Sequence, residues 1–498
     1  MSAVISALMQ HAIDDPRKTA LQDARGTLSY SDLMFKIESL AQRLRALNPR
    51  AIAILADNGR DWAVVDLAAL MAGIPAIPIP PFFSSTQIAH TLRTAGVDHV
   101  YADQPARIRS ALQRVDLPAT PFCGVLQHIP LHDAGMRAVL PAGTSKVTFT
   151  SGTTGEPQGV CLGRETMETV ALSLAHASEA HCDDRHLCLL PLATLLENIG
   201  GLYTPLIAGA TVCLPGMAEV GLSDSSGLHV GRLIAALAHW QASTAIMVPH
   251  MLQALVAAAH AGAALPATLR YVAVGGAPVS KRLLEHAARL GLPVYQGYGL
   301  SECASVVAVS RPDAQRAGSV GQVLPHVRLA FADDGEILVH GVAWRGYLGA
   351  GKHVGEPVSA VAPIATGDLG YLDADGFLFL TGRKKNLFIT AFGRNVAPEW
   401  VEGEMVTHPS IAQAALFGEA RPFNCAVIVP RPGTPHHVID DALNITNRGL
   451  PDYARVGAWI AATEAFTLHN GLSTPNGLLR RNAIHGRYAD QINALYQS

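Results

Sequence analysis

From Ser31 to Leu290, strand-length apolar runs alternate with helix-length amphipathic ones, and this rhythm restricts the chain to folds built on parallel sheet. Ser31 reads as a helix N-cap, after which Leu33, Ile37, Leu40 and Leu44 share one face as far as Asn48-Pro49. A strand over Ala51 to Leu55, a helix from about Asp61 to Met71 closed by Gly73, and a strand near Ile74 to Ile79 follow. The pattern returns around Ser145 to Ala177, Leu187 to Ala208 and Leu233 to Leu255. It recurs in the strand Leu269 to Val274, which feeds Gly275-Gly276-Ala277 and the amphipathic run Leu283 to Leu290. Beyond Gly318 the texture changes: Asp334-Gly335 and Asp375-Gly376 sit between alternating apolar residues, the signal of β-hairpins, so a small β-rich unit is expected over about 318–382. After Gly382-Arg383-Lys384-Lys385 mixed α and β character resumes. A large domain over 1–384 and a small one over 385–498 are expected.

Only 15% of the 498 residues are charged, against roughly 25% in an average soluble domain, so much of the chain is interior. The net charge is −3 and no basic stripe is visible, which argues against nucleic acid or an anionic membrane surface as partner. Met1 to Lys18 carries Asp14 and Asp15 and does not read as a secretory signal. The most apolar stretch, Trp62 to Phe83, is interrupted by Asp66, Pro75, Pro78, Pro80 and Pro81 and is not a spanning helix. Seven cysteines without regular spacing fit free thiols in a reducing cytoplasm. The cluster His181-Cys182-Asp183-Asp184-Arg185-His186-Leu187-Cys188 matches no zinc spacing and reads as a polar turn entering a buried strand. His436-His437 reads as a solvated pair in a Pro/Gly loop.

The chemistry concentrates in Thr148-Phe149-Thr150-Ser151-Gly152-Thr153-Thr154-Gly155-Glu156-Pro157-Gln158-Gly159-Val160. Glycine lets backbone approach a ligand closely, and successive N–H groups with hydroxyls around them form a concavity suited to phosphate oxygens. The segment is not a Walker A loop, since no Gly-Lys-Ser/Thr follows and the helical run Arg164 to Ala177 starts later. Taken alone it reads more readily as a Ser/Thr/Gly hairpin turn, and the rest of the chain reverses that.

Further along come Tyr298-Gly299-Leu300-Ser301-Glu302, Thr366-Gly367-Asp368, Arg383, Lys385 and Gly393-Arg394-Asn395-Val396. With the Thr150 to Gly159 loop, this ordered set resembles the adenylate-forming superfamily of acyl-CoA synthetases, peptide-synthetase adenylation domains and beetle luciferase. The resemblance runs from Leu28-Ser29-Tyr30 to Arg481. It implies an α/β fold: a large N-terminal domain of two α/β subdomains plus a small β-barrel, then a small mobile α+β C-terminal domain. It further implies that Thr150, Ser151, Gly152, Thr153, Thr154 and Gly155 hold the phosphates of ATP, and that Gly275, Gly276 and Ala277 wall the adenine. Tyr298 and Gly299 belong to the nucleotide site, Ser301 contacts the α-phosphate and Glu302 holds Mg²⁺, a hard cation suited by carboxylate. Asp368 accepts from the ribose hydroxyls, Arg383 is the second nucleotide contact, Lys385 is the hinge, and Gly393 to Val396 lines the approach of a thiol.

The chain departs from the family pattern in two places. Gln158 stands where the loop has a lysine. Leu478, in Ser473-Thr474-Pro475-Asn476-Gly477-Leu478-Leu479-Arg480-Arg481, stands where the resemblance puts the catalytic lysine. Losing one preorganised donor of this kind costs roughly 10²–10³ in rate. Arg480, two residues on, would share Leu478's side of an extended strand and reach inward in its place. Pro191-Leu192-Ala193-Thr194-Leu195-Leu196-Glu197-Asn198 resembles the Pro-Leu-x-His-x-x-Glu stretch of long-chain acyl-CoA synthetases. Thr194, Leu195, Gly200, Met247, His250, Val274 and Gly297 are the candidate pocket residues. The resemblance implies ATP-dependent activation of a fatty or similarly apolar carboxylic acid, then transfer to the thiol of CoA or of a carrier protein's phosphopantetheine. The alternative is a degenerate member that binds nucleotide or acyl-adenylate without efficient adenylation.

Overall fold

A computed structural model describes residues 2–131, 139–150, 158–222, 227–348, 362–474 and 477–497. Two large sheets organise the N-terminal portion. In one of eight strands, Ile52–Leu55 lies between Ala76–Pro78 and His99–Ala102, all parallel, while the hairpin of Thr144–Thr150 and Gln158–Gly163 extends the sheet beyond Ala76–Pro78. In the other, of nine, Arg185–Leu187, Thr244–Met247, Tyr271–Val274 and Val294–Tyr298 run parallel in succession. Helices join successive strands as the alternating pattern requires. The helix Arg60–Ala72 ends on Gly73 in the left-handed conformation (φ +73°), and Arg164–Ala177 spans the residues read as helical. The largest core, with Leu33, Ile37, Trp62, Val65, Met167 and Leu202, packs helices against strands from both sheets.

The amphipathic helix expected after Ser31 is capped two residues earlier. It spans Tyr30–Leu47, and Ser29 is the N-cap. Ser29 Oγ accepts from the Asp32 N–H at 3.1 Å and Asp32 Oδ2 accepts from the Ser29 N–H at 3.4 Å, a reciprocal capping box. Ser29→Ala is expected to lower stability by about 1 kcal/mol, whereas Ser31→Ala, at an exposed site outside the box, leaves it unchanged. Paired urea titrations check the contrast.

The β-rich unit contains a four-stranded antiparallel sheet in the order Arg328–Phe331, Glu336–His340, Ile364–Leu372, Leu378–Arg383. Its neighbour Trp344–Leu348 leaves it to pair with Gln158–Gly163 at the edge of the eight-stranded sheet. After Arg383 a three-stranded sheet of Ile411–Phe417, Asn424–Pro430 and Val456–Ala461 separates two further cores. Alternate residues face opposite sides: Ala414, Leu416, Ala426 and Ile428 on one, Ala415, Cys425, Val427 and Val429 on the other. His436 and His437 open the helix His436–Arg448 rather than lying in a loop, and both are exposed. No helix among the described residues is long and apolar enough to cross a membrane.

Candidate functional site

The hairpin of Thr144–Thr150 and Gln158–Gly163 brings the two ends of the glycine-rich loop together, with Thr150 opposite Gln158. Ser151, Gly152, Thr153, Thr154 and Gly155 lie outside the described residues, and of Thr150 only the backbone is described. A Cβ at Gly159 would stand 2.9 Å from Val147 Cγ1 and 3.0 Å from Phe149 Cζ, so side-chain packing across the hairpin requires glycine there.

Behind this hairpin lies a fully buried polar network. Lys146 Nζ donates to Asp66 Oδ1 at 2.8 Å, to Tyr203 Oη at 2.9 Å and to Asn198 Oδ1. Asp66 Oδ2 also accepts from Tyr203 Oη–H at 2.7 Å and from Asn198 Nδ2 at 3.1 Å. The network joins the helix Arg60–Ala72, the strand Thr144–Thr150 and the π-helix Glu197–Tyr203.

In front of the hairpin a cleft of about 820 Å³ brings most of the expected site residues together: Gly275, Gly276, Tyr298, Gly299, Ser301, Glu302, Arg383 and Lys385 all line it. Ser301 and Glu302 occupy a short 3₁₀ turn, Ser301–Cys303, that follows the strand Val294–Tyr298. A Cβ at Gly299 would fall 1.9 Å from the Ser305 carbonyl oxygen, so only glycine lets the chain fold back there. Glu302 Oε1 accepts from the Tyr347 hydroxyl. Burial and Glu302 raise the Tyr347 pKa, which keeps the phenol a donor.

Asp368 is buried beside the cleft, and each of its oxygens has a protein donor. Arg383 Nε donates to Oδ1 at 2.6 Å and the Tyr298 hydroxyl donates to Oδ2 at 2.8 Å. Burial and the carboxylate raise the Tyr298 pKa. Asp368 and Arg383 are paired residues of neighbouring strands, so sheet register sets their approach. Gly276 adopts φ +81°, a conformation open to glycine, and a Cβ at Gly275 would approach the Gly297 carbonyl oxygen to 3.0 Å. Ala277 is half-buried and follows these glycines outside the cleft lining.

Thr194, Leu195, Gly200, His250, Val274 and Gly297 also line the cavity. Desolvation lowers the His250 pKa below its usual value, so the imidazole is neutral at pH 7. Met247 does not line it. Thr244, Ala245 and Ile246 of the strand Thr244–Met247 border the cavity, whereas Met247 is buried in the core formed with Leu252 and Leu255.

Arg480 does not reach the cleft either. Gly477 (φ +76°) turns the chain, Ser473 bridges Leu479, and the helix Arg481–Ala494 begins directly after Arg480, so no strand continues past Leu478. Arg480 Nε is buried without a hydrogen-bond partner among the described residues. Leu478 itself lines the cleft together with Thr474.

His186, Cys188 and Glu197 gather potential ligand atoms within 4.8 Å of one another. These atoms are already engaged: His186 Nε2 lies 3.0 Å from Glu197 Oε1, His186 Nδ1 lies 2.9 Å from Thr244 Oγ1, and Glu197 Oε2 accepts from the Leu190 N–H at 3.0 Å. A Cβ at Gly201 would stand 2.1 Å from Glu197 Oε1, so this glycine makes room for the carboxylate. Tyr347 and this His–Glu pair were not singled out from sequence, since their partners lie 45 and 11 residues away with no local signal.

Residues 8–350 match the profile of the AMP-binding enzyme family, and residues 385–498 match its C-terminal domain. The long-chain-fatty-acid–CoA ligase FadD15 of Mycobacterium bovis is 26% identical over 99% of this chain and 97% of its own length. The indoleacetate–CoA ligase of Aromatoleum aromaticum is 29% identical over 82% of this chain and 84% of its own. A solved structure of the anthranilate CoA ligase AuaEII in complex with anthranoyl-AMP shares the fold, with TM-score 0.80 and 18% identity over 98% of this chain and 97% of that one. Fold and cleft together define an enzyme of the adenylate-forming class. The chain belongs to the AMP-binding enzyme family.

Proposed function

We propose that this chain activates a carboxylic acid with an apolar chain as its acyl-adenylate and then passes the acyl group to a thiol. The observation that carries the reading is the lining of the cavity. One cavity of about 820 Å³ is bordered both by Ser301, Glu302, Arg383 and Lys385 and by Thr244, Ile246, Tyr271 and Ala273 of two neighbouring strands in the nine-stranded sheet. Leu174, Leu196 and Gly200 also line it. A cavity of this size with apolar walls suits an acyl chain and is wasted on acetate. FadD15, named for long-chain fatty acids, supports the same substrate class.

The residues fit a magnesium nucleotide: a carboxylate at Glu302 faces the cleft, Asp368 keeps lone pairs for two hydroxyls, and glycine backbone at 275 and 276 gives a flat surface close to a base. Magnesium, when bound, is held by Glu302 with phosphate oxygens and offsets their negative charge. Ser301 orients the α-phosphate, Arg383 and Asp368 orient the nucleoside, and the apolar walls exclude water from the mixed anhydride. The acceptor is the thiol of CoA or of a carrier protein's phosphopantetheine. The 385–498 unit moves about Lys385 between the two half-reactions, in a reducing cytoplasm consistent with the free cysteines among the described residues.

Pyrophosphate exchange by the pure protein over acids from acetate to hexadecanoate tests the reading. Exchange with medium or long chains supports it, and silence across the series rejects it. Leu478 in the cleft favours one competing reading, a member that binds nucleotide without efficient adenylation. Leu478→Lys separates the two: a 10²–10³-fold rise from an undetectable baseline supports the second reading, and a modest change from an active one supports the first.

A further inference from the structure

The cleft has no lysine at position 478, and the hairpin leaves that side chain no freedom to withdraw. Leu478 N–H donates to Thr474 Oγ1 at 3.0 Å, Thr474 N–H donates to the Leu478 carbonyl at 2.8 Å, and Gly477 N–H donates to the Thr474 carbonyl at 2.9 Å. Arg480 is turned away. The permanent or titratable cations that line the cleft are Arg107, His186, His250, Arg383 and Lys385. Arg107 donates to the Phe83 carbonyl at 3.0 Å, His186 is held by Glu197 and Thr244, His250 is neutral, and Arg383 is tied to Asp368. Lys385 makes no hydrogen bond or ion pair among the described residues. Its neighbour Lys384 is engaged by Glu336 at 2.9 Å and by Asp334.

We propose that Lys385, beyond any hinge role, is a catalytic residue of this chain: its ammonium, which lines the same cleft as Leu478, serves the carboxylate and α-phosphate there and supplies the charge that position 478 lacks. This inference rests on the adenylation reading above. In the step concerned a carboxylate oxygen attacks the α-phosphorus, an O–P bond forms, the bond from the α-phosphorus to the bridging oxygen breaks, and pyrophosphate leaves with that electron pair. No proton is transferred. The ammonium offsets the repulsion between two anions as they approach and the charge that gathers on the phosphoryl oxygens. An ammonium is suited to this as a compact point charge with three donors. It remains accessible to solvent within the cleft, so a ligand rather than the protein completes its coordination.

The test compares wild type, Lys385→Ala, Lys385→Arg and Lys385→Ala with Leu478→Lys. Dodecanoate-dependent pyrophosphate exchange reads the first half-reaction, and CoA thioester formation from supplied dodecanoyl-adenylate reads the second. Expected are a roughly 10²–10³-fold loss of exchange in Lys385→Ala, a markedly smaller loss of thioester formation through the hinge, and recovery of exchange in the double variant. Wild-type exchange should also fall on an alkaline limb that Lys385→Arg abolishes, because partial desolvation in the cleft and Arg383 lower the pKa of this ammonium by more than Asp368 and Glu399 raise it. If wild type is active and Lys385→Ala exchanges within threefold of it, or if both half-reactions fall together and Leu478→Lys restores neither, the inference is overturned while the adenylation reading stands. If wild type is silent with every acid, that reading falls and this one with it.

Discussion

Lys146→Met is expected to lower the stability of the large lobe by about 3–5 kcal/mol, the cost of leaving one member of a buried ion pair without its partner. The Lys146 side chain is 1% exposed and that of Asp66 is 0% exposed, so neither charge has water to fall back on. In the variant Asp66 keeps donors from Tyr203 and Asn198 but loses its countercharge. The complementary change, Asp66→Asn, leaves the ammonium with neutral oxygens only, those of the introduced amide, Asn198 and Tyr203. Its stability should then depend on pH with a definite sign. Desolvation lowers the Lys146 pKa in the fold below 10.5, its unfolded value, so between the two values the unfolded chain binds more protons and stability rises with pH. The penalty is full below the folded value and gone above the unfolded one. Urea titrations from pH 7 to 10 check both points: Asp66→Asn gains stability over this range and Lys146→Met does not. A flat profile for Asp66→Asn would mean that water reaches the lysine. Because Tyr203 and Asn198 belong to the π-helix that also carries Gly200, loosening the network should raise the KM for the acid as well.

The local elements of this fold were readable because they rest on local rules. The helix Arg164–Ala177 and the hairpin flanking the glycine-rich loop follow from periodicity and from apolar runs around a turn. The error at Ser31 was one of choosing between two serines, and Asp32, three residues after Ser29, was the deciding signal. Met247 was misplaced because no local signal tells it from Thr244, Ala245 and Ile246, which border the cavity while Met247 packs with Leu252 and Leu255. Arg480 was misplaced because strand alternation was assumed where the chain turns into the helix Arg481–Ala494. Nothing local signals the π-helix Glu197–Tyr203, since an i→i+5 ladder has no composition of its own. The Lys146–Asp66 pair and the Tyr347–Glu302 bond join residues 80 and 45 positions apart, and one sequence contains no trace of such pairings. Of the site itself, the residues that meet along the cleft could be picked out because they lie in short ordered motifs. The groups that hold them were missed because they do not.

Asp368→Asn is expected to weaken Mg-ATP binding by roughly 10- to 100-fold while leaving the fold intact. A carboxylate can accept from Arg383, from Tyr298 and from two further hydroxyls at once; an amide presents one acceptor and turns an NH₂ toward one of the two donors. Each hydrogen bond to a charged group contributes roughly 1.5–3 kcal/mol, so losing one acceptor, with one donor left facing the NH₂, accounts for the stated range. Stability changes little because the Arg383 side chain is 41% exposed and solvent replaces its lost partner. Tyr298→Phe makes the comparison specific. It removes one donor and no acceptor, and the freed Asp368 Oδ2 still accepts from a ligand, so binding should fall by less than about tenfold. Calorimetric titration of each variant with Mg-ATP, alongside a thermal melt, separates the outcomes. Asp368→Asn binding within threefold of wild type would show that this carboxylate serves only to hold Arg383, and the nucleoside would then have to be placed elsewhere in the cleft. A large loss in both variants with an unchanged melt would instead make the Tyr298–Asp368–Arg383 chain a single unit, in which the phenol orients the carboxylate and the carboxylate orients the guanidinium, and no one member can be removed without losing the others' alignment.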